Sequence, residues 1–244
     1  MNENLRYALL KARLQVTDVA AALAVDPKTV DRWLNGRIPY PRHRWALADL
    51  LDADEATLWP ELAQRRDAFT GQLRATYPHR WVIPQTEWLR LFESAEREID
   101  ILGCSALFLA EDPAIIQALA ERATAGVHVR ILLADPGSVQ TQARGLETGT
   151  DPAATAARIS DALNRFGPLA EFSEAEIRLH NVVLYNSIYR ADDDLMVTLH
   201  VYAISDAQSP VLRFTVRHHN GPATAYLTSF EHTWTTAQPY TPTS

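Results

Sequence analysis

LQVTDVAAALAVDPKTVDRWLNGR, residues Leu14 to Arg37, sets how the first quarter of the chain is built. Val19, Ala20 and Leu23 share one face at helical spacing, which predicts a helix over Val16–Leu23. Ala24-Val25 is the turn. Asp26 is a good N-cap, and Pro27 follows at the first helical position, where its missing N–H costs nothing. The second helix is predicted to run to Asn35, with Gly36 where a left-handed residue is wanted. Val30, Trp33 and Leu34 form its inner face, and Lys28, Thr29 and Arg32 its outer face. A short helix, a tight turn and a capped helix with basic outer residues is the order that lets the second helix lie in a major groove.

Outward from this stretch, Asn4–Leu14 reads as a preceding helix, with Leu5, Leu9, Ala12 and Arg13 spaced to pack on the turn. RIPYP, Arg37–Pro41, is a rigid basic loop suited to phosphate contact. Arg42–Leu51 is a helix offering Trp45, Leu47, Leu50 and Leu51 to a core. Asp54 caps a last helix that carries Leu58, Trp59 and Leu62. The expectation is an all-α five-helix domain over residues 1–63. Over about residues 4–60 it resembles the lambda-repressor-like, Cro-type (XRE) family of helix-turn-helix domains, on Leu14, Val19-Ala20, Leu23-x-Val25, Thr29-Val30, Arg32-Trp33 and Gly36-Arg37. The resemblance implies double-stranded DNA as partner and puts base reading on Pro27, Lys28, Thr29 and Arg32. Val16 stands where that family often has a phosphate-contacting Gln. Pro27 cannot donate a hydrogen bond, so Lys28 and Arg32 are expected to carry most direct readout, since Lys and Arg pair with guanine O6 and N7. The plainer alternative is a helical hairpin used only for protein contacts.

The net charge of −7 looks wrong for a nucleic-acid binder until it is divided. Residues 1–66 hold ten basic and nine acidic side chains, and residues 67–244 hold thirteen and twenty-one. Between Pro27 and Arg44 five cations (Lys28, Arg32, Arg37, Arg42, Arg44) face Asp31 alone. This concentrates positive field where a groove would lie, and Arg37, Arg42 and Arg44 join the expected DNA contacts. The acidic remainder would be repelled by DNA.

No apolar run reaches the roughly 18 residues of a membrane span, so no membrane role is expected. MNENLRYALL lacks the basic and apolar regions of a signal peptide. Cys104 is the single cysteine, which excludes an intrachain disulfide and suits a reducing cytoplasm. In an apolar strand it reads as packing. The only two lysines are Lys11 and Lys28.

Residues 64–85 read as a connector, helical over Asp67–Ala75 and then broken at TYPHRWVIP, where Pro78, Pro84, Tyr77 and Trp81 make it stiff. Residues 86–244 are expected to form an α/β domain with a mixed sheet. Trp88, Leu89, Phe92 and Ala95 share a helix face. Ile99–Gly103 and Val127–Ala134 are buried strands, joined through a helix over Pro113–Ala125 with Ile115, Ile116, Leu119 and Ala123 inward. That unit predicts a parallel, right-handed crossover. Gly137–Asp151 reads as loop-rich and Pro152–Phe166 as an Ala-rich helix. Strands follow at Ile177–Leu179, Val182–Arg190, Leu195–Tyr202 and Val211–Val216, then a closing helix over Ala223–Thr235.

Over about residues 86–236 this half resembles the phospholipase D-like fold, on the first strand ending in Gly103, the helix with Ala118-Leu119 and AxxGVHVRILLADP, Ala123–Pro136. The family signature His-x-Lys-x4-Asp would begin at His180. Val182 stands at the Lys position and Ser187 at the Asp position. In that family the His is the phosphoryl nucleophile and the Lys clamps phosphate oxygens. Without the cation the resemblance implies binding and not turnover, because such catalysis is electrostatic stabilisation plus positioning. The chain is therefore not expected to be an enzyme. Active members need two motifs, and this chain has half of that set.

Strand alternation puts His180, Val182, Leu184, Asn186, Ile188 and Arg190 on one face. With the next strand, His180, Asn186, Arg190, His200 and Tyr202 are expected to line a pocket for a small anionic or polar ligand. Asp192, Asp193 and Asp194 read as a solvated turn, and His218-His219 as surface. No metal-ligand spacing accompanies them, so neither metal nor cofactor is expected. The expectation is a cytoplasmic bacterial transcriptional regulator, homodimeric through its second domain, which senses a small effector. The alternatives are a phosphodiester-cleaving enzyme targeted to DNA and a protein-contact adaptor.

Overall fold

The computed structural model describes residues 1–61, 72–216 and 221–241. Leu62, the first part of the helix expected over Asp67–Ala75, as far as Gly71, and His218-His219 lie outside them. The chain divides into two compact units, Met1–Thr70 and Gly71–Ser244. Among the described residues, eleven helices accompany one eight-stranded mixed sheet. No described helix is long and apolar enough to cross a membrane.

The first unit holds α1 (Glu3–Ala12), α2 (Val16–Ala22), α3 (Pro27–Leu34), α4 (Pro41–Leu50) and α5 (Glu55–Leu58). Leu5, Leu9, Val19, Val30, Trp33, Leu47, Leu58 and Trp59 are its buried core. Asn2 ties three helices together. Its side chain accepts from the Leu5 N–H and donates to the Leu58 carbonyl, while its own N–H donates to the Leu34 carbonyl at 2.9 Å. Both predicted ends of α3 form. Asp26 accepts from the Lys28 N–H at 2.8 Å. Gly36 sits at φ +101°, with its N–H on the Trp33 carbonyl and that of Arg37 on the Arg32 carbonyl. In the α2–α3 turn Ala24 is held left-handed at φ +51°, a conformation that disfavours any residue with a Cβ. Trp45 and Leu50 do not join the core. Trp45 is 60% exposed, because α4 buries only the stripe through Leu47, which continues to Leu51.

The second unit is built on strands β1 (Leu73–Tyr77), β2 (Glu98–Gly103), β3 (His128–Ala134), β4 (Ala175–His180), β5 (Asn186–Ala191), β6 (Asp194–Leu199), β7 (Val211–Thr215) and β8 (Gln238–Pro239). Their order is β1-β7-β6-β5-β2-β3-β4-β8. β2, β3 and β4 run parallel, and every other pairing is antiparallel. Helices α6 (Gln85–Glu93), α7 (Leu107–Ala110), α8 (Pro113–Thr124), α9 (Val139–Glu147), α10 (Pro152–Phe166) and α11 (Pro222–Thr236) complete it. Side-chain alternation splits the core between the two sheet faces. Ile99, Ile101, Val129, Ile131 and Tyr189 pack under α6, α8 and α10. Leu102, Leu132, Ile188 and Val197 pack under Phe230 and Trp234 of α11.

Five expectations are corrected here. Leu73–Tyr77, read as connector and as helix up to Ala75, is the edge strand β1 paired with β7. Gly137–Asp151, read as loop, contains α9. Its first turn is capped by Ser138, whose Oγ accepts from the Thr141 N–H at 3.1 Å. Its buried positions are Thr141 and Gly145, while Val139 and Leu146 face out, so it carries no apolar stripe to read. The strand expected over Val182–Arg190 begins only at Asn186, and the one expected to reach Tyr202 stops at Leu199. The aspartate turn is not simply solvated. The Asp192 carboxylate accepts from the backbone N–H groups of Glu96, Arg97 and Glu98 at 2.8–3.0 Å. Burial works against its charge, but those donors outweigh it and hold the carboxyl below its ordinary value. Asp193 pairs with Arg97, and Asp194 with Arg213.

Candidate functional site

In the first unit α3 buries Val30, Trp33 and Leu34, and so fixes which side faces out. Pro27, Lys28 and Arg32 are exposed and Thr29 is half-buried. Arg37 and Arg42 are exposed on the following segment. Arg44 differs from the other expected contacts. Its side chain is 17% exposed, pairs with Glu55 and donates to the Pro39 carbonyl at 2.9 Å. It fastens the loop before α4 to α5, so its charge is already neutralised inside the unit.

In the second unit β2, β3 and β4 end side by side at Gly103, Ala134 and His180. The carboxyl ends of parallel strands are where open α/β sheets bind ligands. Two adjoining cavities, about 420 and 260 Å³, open there and share Cys104 and Arg144.

The smaller cavity holds His180 and His200, with Val182, Leu184 and Thr141 also in its wall. His180 is 3% exposed. Its Nε2 donates to the Gly103 carbonyl at 3.3 Å, and its Nδ1 is buried with no hydrogen-bond partner. Burial pushes its pKa down to about 4, against the smaller pull of the Gly103 carbonyl and Asp135. The ring is therefore neutral at pH 7. His200 Nδ1 lies 3.1 Å from the Leu184 carbonyl and must donate there, so its Nε2 accepts from Ser187 Oγ at 3.0 Å. Burial also lowers His200, with Asp206 pulling the other way. Val182 is apolar, and the charged side chains in this cavity's wall are Glu147 and Arg144. That guanidinium is shared with Glu147 and Asp206, at 2.8 Å from each.

The larger cavity lies between the Cys104–Phe108 turn, Arg80, α9, α10 and Tyr189. Tyr189 is buried, edge-on to Trp88 and Phe108, and its hydroxyl interacts with Ser187. Burial keeps it protonated, pushed up to about 12. Cys104 is pushed up to about 11, by burial first and Asp206 second.

Of the five expected ligand residues, the structure brings together only His180 and His200. Within β5, Ser187 and Tyr189 share the cavity side while Ile188 and Arg190 lie on the α11 face, as Arg178 of β4 does, and His180 reaches the cavity from the end of its strand. Arg190 is committed to structure there, on Asp100 at 3.1 Å and Glu98 at 2.6 Å. Tyr202 lies beyond β6, 81% exposed. Ser187, Tyr189, Arg80, Arg144 and Arg158 were missed. In NSIYRA the pattern Ser187-x-Tyr189 on an apolar strand was the available signal, in the opposite phase to the one chosen. Among the described residues no cluster of His, Cys, Asp and Glu is placed to hold a metal ion.

No protein-family model matches this chain. No curated protein matches it either. Its likenesses are to solved structures. One is a phospholipase D family member, Nuc from Salmonella typhimurium, at 16% identity and a TM-score of 0.40, covering 65% of this chain and 91% of that one. Another is TrmBL2, an archaeal chromatin protein described as showing a novel mode of DNA binding, at 15% identity and a TM-score of 0.44, covering 93% of this chain and 88% of that one.

Proposed function

We propose that this chain is a sequence-specific DNA-binding transcriptional regulator, in which the first unit reads DNA and the second dimerises and binds a small effector. The observation that carries the reading is α3. Its two ends are capped, its inner face is locked by Val30, Trp33 and Leu34, and its outer face presents Lys28 and Arg32. A helix held this way can enter a major groove with little further ordering, and Arg37 and Arg42 flank it for phosphate contact. A homodimer would place two such helices on half-sites about 34 Å apart.

The effector would sit at the carboxyl ends of β2, β3 and β4, against the His180 and His200 cavity. Phosphodiester turnover is not expected of this site. His180 is neutral and buried beside Val182, and Arg144, the cation of this cavity, is already held by Glu147 and Asp206 and so is not free to stabilise an equatorial phosphoryl charge. Assaying a generic phosphodiester checks this directly, and turnover that vanishes in His180→Ala would restore the enzymatic alternative.

DNA binding is tested by fluorescence anisotropy with the chain's own promoter region against random duplex, over a range of salt. Selective binding with a steep salt slope is expected. Arg32→Ala or Lys28→Ala should cost about 1–3 kcal/mol and relax specificity at one base pair. Weak binding, equal on both duplexes, would overturn the reading and favour a protein-contact role.

A further inference from the structure

We propose that the larger of the two adjoining cavities at the carboxyl ends of β2, β3 and β4 is a binding site for a small phosphate monoester, gripped by the guanidinium groups of Arg80 and Arg158. The inference rests on the second unit being a ligand-binding one, and not on DNA binding by the first.

The cations of this cavity fall into two kinds. Arg144 is satisfied by Glu147 and Asp206. Arg80 and Arg158 have no carboxylate within ion-pair distance among the described residues, although both line the space. Arg80 is held rigidly. Its backbone N–H donates to the Ser209 carbonyl at 2.9 Å, and its guanidinium lies 3.7 Å over the Phe108 ring. Its Nε is buried without a hydrogen-bond partner. A buried charged donor left unmatched is costly unless something arrives to accept from it. Stacking on an aromatic face is also how an Arg fork is pre-aimed at an oxyanion.

Hydroxyl groups surround the two arginines. Ser105, Thr148, Thr150, Thr155 and Tyr189 all reach the wall. Thr148 and Thr155 spend their protons on helix carbonyls and keep lone pairs for a ligand's hydroxyl groups. Glu111 and Asp206 also line the space, Asp206 being held by Arg144, and the two cationic forks that no carboxylate pairs suit a tetrahedral dianion better than a neutral polar group. The cavity of about 420 Å³ is far larger than a phosphate ion, so an organic part of the size of a pentose is accommodated beside it. Ala106, which opens α7 at this wall, is held left-handed at φ +48°. Non-glycine residues held in that region tend to cluster at ligand sites.

The test is isothermal titration of the full chain with ribose 5-phosphate, inorganic phosphate and ribose. Saturable binding of ribose 5-phosphate is expected, weaker binding of phosphate, and none of ribose. Arg80→Gln and Arg158→Gln should each weaken ribose 5-phosphate at least tenfold. Arg158 is exposed on α10, so its variant keeps the melting midpoint even if that of Arg80 does not. Arg32→Ala should leave this binding unchanged. The inference is overturned by no saturable binding of ribose 5-phosphate at millimolar concentration, by equal affinity for phosphate alone, or by retention of binding in Arg158→Gln. DNA anisotropy on the same proteins separates the two claims. Lost DNA binding with retained phosphate binding sinks the regulator and leaves this site standing.

Discussion

Arg190→Met would decide whether this arginine belongs to a ligand site or to the scaffold. The side chain crosses from β5 to β2, donating to Asp100 at 3.1 Å, to Glu98 at 2.6 Å and to the Asp192 carbonyl at 2.7 Å. Asp100 is 0% exposed. Its other partner is Arg130, at 2.7 Å, which continues to Glu231 on α11 and stacks over Phe230 at 4.7 Å. Breaking a buried ion pair from one side costs about 3–5 kcal/mol, because the remaining charge is left buried and unmatched. Arg130 still answers Asp100 in the variant, so the low end applies, about 3 kcal/mol. For a unit of this size that lowers the melting midpoint by about 6–12 °C. Circular dichroism melts of wild type and variant measure it. Asp100→Leu combined with Arg190→Met should cost less than the two changes summed, since the pair leaves together. A midpoint within about 2 °C of wild type in Arg190→Met would refute the scaffold role and return Arg190 to the ligand candidates.

Three further outcomes are expected. His180 titrates at about 4 in the folded chain against 6.5 when free, so the unfolded state takes up its proton first as pH falls. Stability is complete above pH 6.5 and declines toward pH 4, by about 3 kcal/mol from this residue; urea titrations should show that slope flattened in His180→Asn, and an unchanged slope would contradict the assignment. Ala24→Gly relieves the left-handed alanine in the α2–α3 turn and should stabilise the first unit by about 0.5–1 kcal/mol, read as a raised melting midpoint with DNA affinity unchanged. Cys104, pushed up to about 11 from 9.0, should react with iodoacetamide about a hundredfold more slowly than an ordinary thiol near neutral pH; alkylation as fast as that of a free thiol would show the pocket to be open and wet.

Local signals carried the reading where the chain itself supplies the partner. Asp26, Pro27 and Gly36 each act within a few residues, and α3 ends where they say. The buried strands Ile99–Gly103 and Val127–Ala134 were legible because a strand covered on both faces is apolar throughout. α9 was not, since Thr141 and Gly145 turn inward and two of its large apolar residues turn out. The site was harder still. His180 ends β4 and reaches the cavity from the strand's tip, so carrying its alternation on into β5 picks Asn186 and Arg190, whereas Ser187 and Tyr189 hold the cavity side there. Arg80 and Arg158 lie 78 positions apart in the sequence and line one cavity only through the fold, so no motif announces them.

The short strand β8 has a consequence for how the molecule behaves in company. It covers the free edge of β4 with two residues, and one of them, Pro239, has no N–H to offer. An arriving strand finds almost no ladder to extend on that side. Sheet edges left long and bare recruit other chains into aggregates. Here the edge of β4 at Arg178 and Leu179 is closed off from such growth by a dipeptide, and replacing Pro239 with a strand-favouring residue such as Val would reopen it.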